Sequence, residues 1–383
     1  MPSATGPGFI RDAVHQLTHP PQNQVGALDG LRSLAILLVV VAHCGSGFQA
    51  AGGASVLTRL PFVVRGWVGV DLFFVLSGYF IGRQLWQELV KTGTIRIGRF
   101  IVRRSLRIWP LYFAVLALVT LGRGVPVWQS DGYWPEWVFL SNYVPRGVIM
   151  GSWSLAIEEQ FYILAPLVLW VCSRKSLDLK RYGLGLLLVF ATLPAIRYGV
   201  FGSLAAWEAH RTELYLYFSL HTHADGLIAG LILAVCSVDG DLRRWCQARS
   251  FRLLVPLAAI LAVVLTTCQR EAFNFFGLAL FFATLTASCL FSPGRWTRWL
   301  EIRPFFTLSR LSFGIYLVHW FFVEPLAIRV TGTSLPGWAQ FLALIGGVTA
   351  ISVLMTTLTF VLIERPFLQW RDRLMPVVPV TRT

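Results

Sequence analysis

Long apolar segments recur along the whole chain, and the polar stretches that separate them are short. A helix rises about 1.5 Å per residue, so roughly 20 apolar residues span a bilayer core of about 30 Å. The pattern therefore predicts an all-α polytopic membrane protein of about ten transmembrane helices. We place these helices at 31–48, 66–86, 106–122, 154–173, 183–201, 214–236, 253–268, 273–291, 309–328 and 339–363.

The composition supports a membrane protein with one transmembrane domain. Of the 383 residues, 55% are hydrophobic and 14% are charged, which is far more apolar than a soluble domain of this size. No long polar insert or Gly/Ser-rich linker divides residues 28–368. Residues 1–27 lack the basic start and short apolar core of a signal peptide. We expect 1–27 and 369–383 to be cytoplasmic tails.

The net charge of +14 has a simple explanation in membrane topology. One set of alternate connections, beginning with 83–107, carries 23 of the 33 Lys and Arg residues, and the other set carries eight. Cytoplasmic loops of membrane proteins are enriched in Lys and Arg. We therefore expect both termini in the cytoplasm of a multi-pass protein of the plasma or inner membrane, and we expect no nucleic-acid partner.

The cysteines give no indication of a metal site or a disulfide framework. The six cysteines show no C-x-x-C spacing, and five of them fall in predicted transmembrane helices. Zinc sites and disulfide-rich domains carry closely spaced cysteines. We predict no bound metal.

Two polar residues occur in the first apolar segment, "LDGLRSLAILLVVVAHCG" (28–45). Arg32 lies near its start and His43 eleven positions later. Eleven helical steps of about 100° return to within about 20° of the same direction, with a rise of about 16 Å. We predict that both residues share one face with Asp29. Arg32 then lies at the cytoplasmic boundary and His43 lies beyond the midplane, toward the outer side.

The helical rise per residue also gives the depth of other ionisable residues in the membrane. Asp71 and Glu158 follow outer loops and lie about 8 Å below the outer surface. Asp225 and His319 fall near the middle of their segments. The basic residues expected at the cytoplasmic end of the helix bundle are Arg103, Arg104 and Arg107.

These intramembrane groups have a functional and a structural interpretation. A charged group at the bilayer centre costs at least about 2.5 kcal/mol, which makes it a functional candidate. A histidine can also serve only in helix packing, and an acidic residue near a helix start can be a cap. His43 follows "LAILLVVVA" with no cap to serve, which favours chemistry. For Gly226 and Gly230, close helix packing is the preferred explanation.

Several blocks of sequence, in order, resemble the membrane-bound acyltransferase-3 family. They extend from about residue 27 to residue 368. The blocks are Arg32 and His43 with ten residues between them, "GVDLFFVLSGYFIG" (69–82), "RRSLRIWPLYF" (103–113), "WSLAIEEQFY" (153–162), "SFGIYLVH" (312–319) and "ERPF" (364–367).

The resemblance implies an enzyme that moves an acyl group, commonly acetyl from acetyl-CoA, to a hydroxyl of a surface polysaccharide or glycolipid. In some members the acceptor is a secondary metabolite such as a macrolide. The family's essential histidine and its paired arginine fall on His43 and Arg32. Its R-x-x-R segment, associated with the coenzyme A phosphates, falls on Arg104 and Arg107. Where some relatives carry an arginine in the sixth segment, this chain has His223.

The residues themselves suit this chemistry. Arginine binds phosphate in a bidentate manner, so Arg103, Arg104 and Arg107 are candidates for holding a cytoplasmic acyl-CoA. His43 is the candidate base for the acceptor hydroxyl, or it forms a covalent acyl intermediate. Candidate helpers are Asp71 and Glu158, either of which would orient the imidazole or the acceptor, and Arg32, which would steady a phosphate or the substrate. Candidate acceptor contacts are Asp225, His319 and Trp153.

Two other classes of function remain open at the level of sequence. A proton-coupled transporter or flippase would use the buried acids and histidines as a proton relay. The missing internal repeat counts against it, as does an arginine cluster suited to a nucleotide cofactor. In a non-catalytic membrane scaffold or sensor, His43 would only pack against its neighbours.

Overall fold

The computed structural model describes residues 7–19, 25–123, 133–144, 147–174, 178–204, 215–248, 256–258, 260–261, 264 and 271–375. These residues form helices and connecting turns, with no strand among them, which confirms the all-α prediction. The main helices are α1 Pro7–Thr18, α2 Gly26–Ala50, α3 Gly69–Thr92, α4 Ile97–Arg123, α5 Ser152–Arg174, α6 Leu179–Leu204, α7 Asp225–Val238, α8 Gly240–Gln247, α9 Glu271–Phe291, α10 Arg303–Val318, α11 Trp320–Thr331, α12 Gly337–Thr359 and α13 Arg365–Leu374.

The protein is a multi-pass membrane protein. Within the described ranges, seven helices are long and apolar enough to cross a membrane, or eight if the bent pair α10 and α11 forms one span. The predicted helix at 253–268 lies mostly outside the described residues. The predicted helix at 214–236 appears as α7, which has only 14 residues because turns occupy 220–222 before it. The total of ten helices stays a prediction.

The ends of the long helices follow local sequence signals. A backbone inside a membrane must satisfy its own hydrogen bonds, which favours continuous helices. α3 ends where Gly93 takes a left-handed conformation with φ of 69°, which glycine adopts without the steric penalty of a side chain. α10 begins with a proline in its first turn, where no backbone donor is needed. The predicted N-terminal tail contains α1, which contacts α10.

α7 packs closely along α3, and glycines make this approach possible. A side chain at Gly230 would collide with the backbone of Val75 and Tyr79, and one at Gly78 would collide with the backbone of Leu227. Gly226 lies against Phe74 in the same contact. The prediction that Gly226 and Gly230 serve close packing is therefore confirmed.

This contact yields a stability prediction. Gly230→Val should destabilise the protein by about 1–3 kcal/mol, because added carbons have no space against the α3 backbone. Thermal unfolding in detergent would measure the loss. Gly185→Val is the matched control, since a carbon added at Gly185 meets no described atom within 4 Å beyond its chain neighbours and its own helix backbone. Equal unfolding temperatures for the two variants would contradict the packing argument.

α2 lies at the centre of the bundle and contacts α3, α10, α11 and α12. Its first turns are joined to α10 by two hydrogen bonds. Ser33 donates to the carbonyl of Phe305 at 2.5 Å, and Ser309 donates to the carboxylate of Asp29 at 2.9 Å. The C-terminal part of α2 lies against the break between α10 and α11, where the two helix axes differ by 75° around His319.

Candidate active site

A cavity of about 540 Å³ lies between α2, α3, α4, α5 and α10. Its walls carry guanidinium groups, carboxylates, hydroxyls and aromatic rings. The basic residues in its wall are Arg32, Arg83, Arg104, Arg107 and Arg310. The acidic residues are Asp29, Glu158 and Glu364.

The arginines face the cavity because of their helical spacing and their aromatic supports. Arg104 and Arg107 are three residues apart on α4, so they lie on one face. Arg104 donates to the side-chain oxygen of Gln84 at 3.0 Å. The guanidinium of Arg32 lies 5.8 Å from the ring centre of Phe80, within the range of a cation–π contact.

The five cavity arginines lack acidic partners at contact distance in the described ranges. Within the described part of the chain, none of them forms a salt bridge. The Nε atom of Arg310 is buried and finds no hydrogen-bond partner among the described residues. Unpaired guanidinium groups gathered in one cavity suit an anionic ligand, and phosphate is the anion whose geometry they match.

Two hydroxyl groups donate hydrogen bonds to the carboxylate of Glu158. Ser77 donates to one of its oxygens at 2.8 Å, and Tyr162 donates to the other at 2.6 Å. Another pair of hydroxyls, those of Ser154 and Tyr316, lies 2.7 Å apart in the cavity wall. This part of the cavity is therefore polar, and the guanidinium of Arg104 lies 5.8 Å from the ring centre of Tyr162.

His43 forms a hydrogen-bonded pair with His319. Nδ1 of His43 lies 2.7 Å from Nε2 of His319, and Trp320 meets the His43 ring edge-on with ring centres 4.8 Å apart. His319 is fully buried and His43 is half-buried. His43 does not line the arginine cavity. The cavity reaches Tyr316, whose ring centre is 6.2 Å from that of His319.

The structure does not place Asp71 or Glu158 against the His43 imidazole, and their predicted role toward the acceptor stays a prediction. The carboxylate of Asp71 accepts a hydrogen bond from Nε2 of His223 at 2.8 Å. Asp71 points toward the turns before α7, and Glu158 is bound to Ser77 and Tyr162. The partner of His43 comes instead from the break between α10 and α11.

Asp225 and Trp153, two predicted acceptor contacts, lie outside the arginine cavity. Arg197 donates to both oxygens of Asp225, at 2.6 and 3.0 Å, and both side chains are fully buried. Trp153 packs on Tyr217 and His223, with ring centres 4.8 and 5.8 Å apart. These residues form a polar and aromatic cluster beside the cavity.

Arg103 also lies apart from the cavity. Its guanidinium donates to Asp372 at 3.4 Å and to the carbonyl of Met375, so it joins α4 to α13. Arg103 is turned by about 100° from Arg104 around the α4 axis, and its side chain extends to Asp372 on α13 instead of into the cavity. The R-x-x-R pair Arg104 and Arg107 remains in the cavity wall without it.

The structure adds residues that sequence reasoning did not single out. Arg83 and Arg310 belong to the basic connections recognised in the sequence, but only the fold brings them into one cavity. Tyr316 is a third such residue, and it occurs in "SFGIYLVH" three positions before the predicted site residue His319, on a neighbouring position of the same helix face. Among the described residues, no group of three His, Cys, Asp or Glu side chains is placed to hold a metal ion.

The fold and site define a helical membrane protein with an arginine-lined cavity beside a histidine pair. Residues 25–357 match the family described as "Acyltransferase domain". The match covers most of the chain, and the protein belongs to this family, the acyltransferase-3 family.

Three curated relatives resemble the chain over most of its length. A Staphylococcus aureus (strain COL) protein named "Putative O-acetyltransferase" is 24% identical over 92% of this chain and 60% of its own length. The peptidoglycan O-acetyltransferase of Listeria monocytogenes is 27% identical over 79% of this chain and 50% of its own length. A Komagataeibacter xylinus protein named "Putative membrane-bound transacylase" is 25% identical over 92% of this chain and 85% of its own length.

The chain thus spans 60% and 50% of the length of the Staphylococcus and Listeria proteins. The comparison with solved structures found no match.

Proposed function

We propose that this protein is an O-acyltransferase of the plasma or inner membrane that transfers an acyl group, acetyl in the first instance, from a cytoplasmic acyl-CoA. The acceptor is a hydroxyl of a surface polysaccharide or glycolipid. The observation that carries the proposal is the cavity with five arginines that lack salt-bridge partners among the described residues. Family membership and the names of the relatives support the acyl-transfer chemistry.

The donor binds with its phosphates against the arginines. Coenzyme A carries several phosphate charges, and Arg104 and Arg107 offer neighbouring guanidinium forks for them. The uneven distribution of Lys and Arg supports a cytoplasmic opening for this cavity and N- and C-termini on the same side. The pantetheine arm then extends along α2 toward Tyr316, which carries the thioester toward the histidine pair.

His43 acts as the general base in this proposal. The acceptor O–H bond breaks as its proton moves to the imidazole, while the oxygen attacks the thioester carbonyl. Coenzyme A leaves as its thiolate and receives a proton. Arg32 lies at the inner end of the same helix face and steadies a donor phosphate. Glu158, held by two hydroxyls, contributes to the polar wall along which the thioester passes.

The acceptor approaches from the outer side. His43 lies about 16 Å further along α2 than Arg32, by the rise of a helix, so the base and the phosphate site are separated across the membrane. A surface glycan or glycolipid therefore reaches His43 without entering the cytoplasm. An impermeant acceptor analogue should compete in intact cells. Competition only from the cytoplasmic face would overturn this orientation.

The first experiment follows radiolabelled acetyl from acetyl-CoA into cell-surface glycan and into extracted small molecules. We expect label in the glycan or glycolipid pool when the wild-type protein is present. Label only in a small metabolite would change the acceptor class and keep the enzyme. No label in either pool, with every acyl-CoA supplied, would favour the proton-coupled transporter.

Removing one cavity arginine should weaken donor binding. Arg107→Gln should raise the KM for acetyl-CoA by about 10- to 100-fold with little change in kcat, because hydrogen bonds to charged groups contribute about 1.5–3 kcal/mol. Steady-state kinetics with purified protein would measure both constants. Arg96→Gln, on the exposed segment before α4, is the matched control.

Arg103→Gln sharpens the same test. Since Arg103 contacts α13 instead of lining the cavity, its loss should change the KM for acetyl-CoA much less than the loss of Arg107. A larger effect at Arg103 than at Arg107 would show that the donor binds elsewhere.

A further inference from the structure

The pairing of His43 with His319 constrains where each proton lies. Nδ1 of His319 lies 2.8 Å from the backbone carbonyl oxygen of Ile315. A carbonyl oxygen only accepts hydrogen bonds, so Nδ1 of His319 must carry the hydrogen. In a neutral imidazole the other ring nitrogen, here Nε2, is then unprotonated and has a free lone pair. Nε2 of His319 is therefore an acceptor.

Because Nε2 of His319 accepts the hydrogen bond between the two rings, the tautomer of His43 is fixed as well. Nδ1 of His43 lies 2.7 Å from Nε2 of His319. Since Nε2 of His319 is unprotonated, Nδ1 of His43 must carry the hydrogen of this bond. His43 thus carries its hydrogen on Nδ1, and its Nε2 has a free lone pair. That Nε2 makes no hydrogen bond to the described residues and is not among their fully buried polar atoms.

The ring geometry suits this hydrogen bond. The two imidazole planes differ by 3°, and the ring centres are 5.0 Å apart. With nitrogens 2.7 Å apart, this separation places both nitrogens near the line between the ring centres, so the rings are nearly coplanar. The N–H of one ring therefore points along the lone pair of the other, which is the strongest arrangement of such a bond.

Resting on the proposed acyl transfer, we propose that His319 is the positioning residue that holds His43 with Nε2 bare and directed at the acceptor hydroxyl. His319 takes the place of the carboxylate that orients a catalytic histidine in a Ser-His-Asp triad. A neutral imidazole performs this task inside a membrane without the desolvation cost of a buried carboxylate.

The helix break explains how His319 reaches this position. α10 ends at Val318 and α11 begins at Trp320, with 75° between them. The break presents two consecutive side chains to His43, because His319 binds its Nδ1 and Trp320 meets its ring edge-on. Both contacts limit rotation of the His43 ring.

The reaction step remains balanced with His319 as a neutral partner. The proton from the acceptor hydroxyl forms a bond to Nε2 of His43, and the oxygen electron pair forms the new bond to the acyl carbon. The C–S bond breaks, and the proton passes from Nε2 to the departing thiolate. His319 keeps its own proton on Nδ1 throughout and only accepts the hydrogen bond from His43.

Two variants of His319 test the role by kinetics. His319→Leu removes the nitrogen that accepts the hydrogen bond from His43. His319→Gln places a side-chain oxygen, which can accept that hydrogen bond, near the position of Nε2. We expect His319→Leu to lower kcat by at least about tenfold, the effect of one lost hydrogen bond, with the KM for acetyl-CoA unchanged. We expect His319→Gln to recover most of the rate. Equal losses in both variants, or a normal rate in His319→Leu, would overturn the proposal.

The tautomer itself provides a test that needs no turnover and no variant of His319. ¹⁵N-labelled histidine in the wild-type protein, observed by solid-state NMR in lipid, distinguishes a protonated from a bare ring nitrogen. The signals of His43 are assigned by their loss in His43→Ala. We expect Nδ1 protonated and Nε2 bare. Protonation of Nε2 in neutral His43 would overturn the role of His319.

The same measurement separates this proposal from the proposed function. A wild-type protein that transfers no acyl group but shows the expected tautomer would refute the enzyme and leave the histidine pair correct. An active enzyme in which Nε2 of neutral His43 is protonated would refute the role of His319 and leave the proposed acyl transfer correct.

Discussion

His43→Ala is expected to reduce acyl transfer by about 100- to 10,000-fold, the range that a general base contributes, while the protein remains folded. The reason is that His43 supplies the proton acceptor in the proposed reaction, and no other ring nitrogen in the described structure pairs with His319. Transfer of radiolabelled acetyl by purified protein, at matched abundance and with matched thermal unfolding, would measure the loss.

The control for this prediction is His15→Ala. His15 lies on α1, exposed and stacked on His19 with ring centres 4.0 Å apart, and it does not line the cavity. Its replacement should leave the rate unchanged. A folded His43→Ala protein that retains its activity would remove His43 from the chemistry and support a packing role.

A covalent acyl-His43 intermediate makes a separate prediction. It would allow labelled coenzyme A to exchange into acetyl-CoA without any acceptor, because the first half-reaction is reversible. Direct transfer, as proposed here, predicts no exchange until the acceptor is added. Exchange in wild type and its loss in His43→Ala would replace direct transfer by the two-step route.

The helices and the shared face of α2 could be predicted from sequence because both depend on local periodicity. An apolar segment of sufficient length must form a helix in lipid, and residues eleven apart on it return to one face. Arg32 and His43 were found by this rule. α7 departs from it because the apolar segment 214–236 includes "SLHTHADG" (219–226), whose polar residues form turns and partner contacts.

The partners of the polar residues could not be predicted, because they come from distant parts of the chain. His43 and His319 are 276 positions apart, and Asp71 and His223 are 152 apart. A sequence shows that a buried acid needs a partner, but several candidates of the right chemistry lie at similar depth. Packing of α7 against α3 decides the pairing of Asp71. The break after α10 decides the pairing of His43.

The buried ion pair of Arg197 and Asp225 yields the second large prediction. Arg197→Met should lower the free energy of unfolding by about 3–5 kcal/mol, because it leaves a buried carboxylate without its guanidinium partner. The double variant Arg197→Met with Asp225→Leu should recover much of this loss, since an apolar pair replaces the ionic one. Unfolding in lipid nanodiscs, followed by temperature or denaturant, would measure both.

Lys180→Met is the matched control for the removal of an ion pair. Lys180 binds Asp241 at 2.7 Å, but both side chains are more than half exposed, so water screens the pair and its loss should have little effect. The comparison also decides what Asp225 does. A strongly destabilised Arg197→Met rescued by the double variant makes Asp225 a structural residue that holds α7 against α6. If the double variant instead unfolds normally but transfers no acyl group, Asp225 belongs to acceptor binding, as the sequence alone suggested.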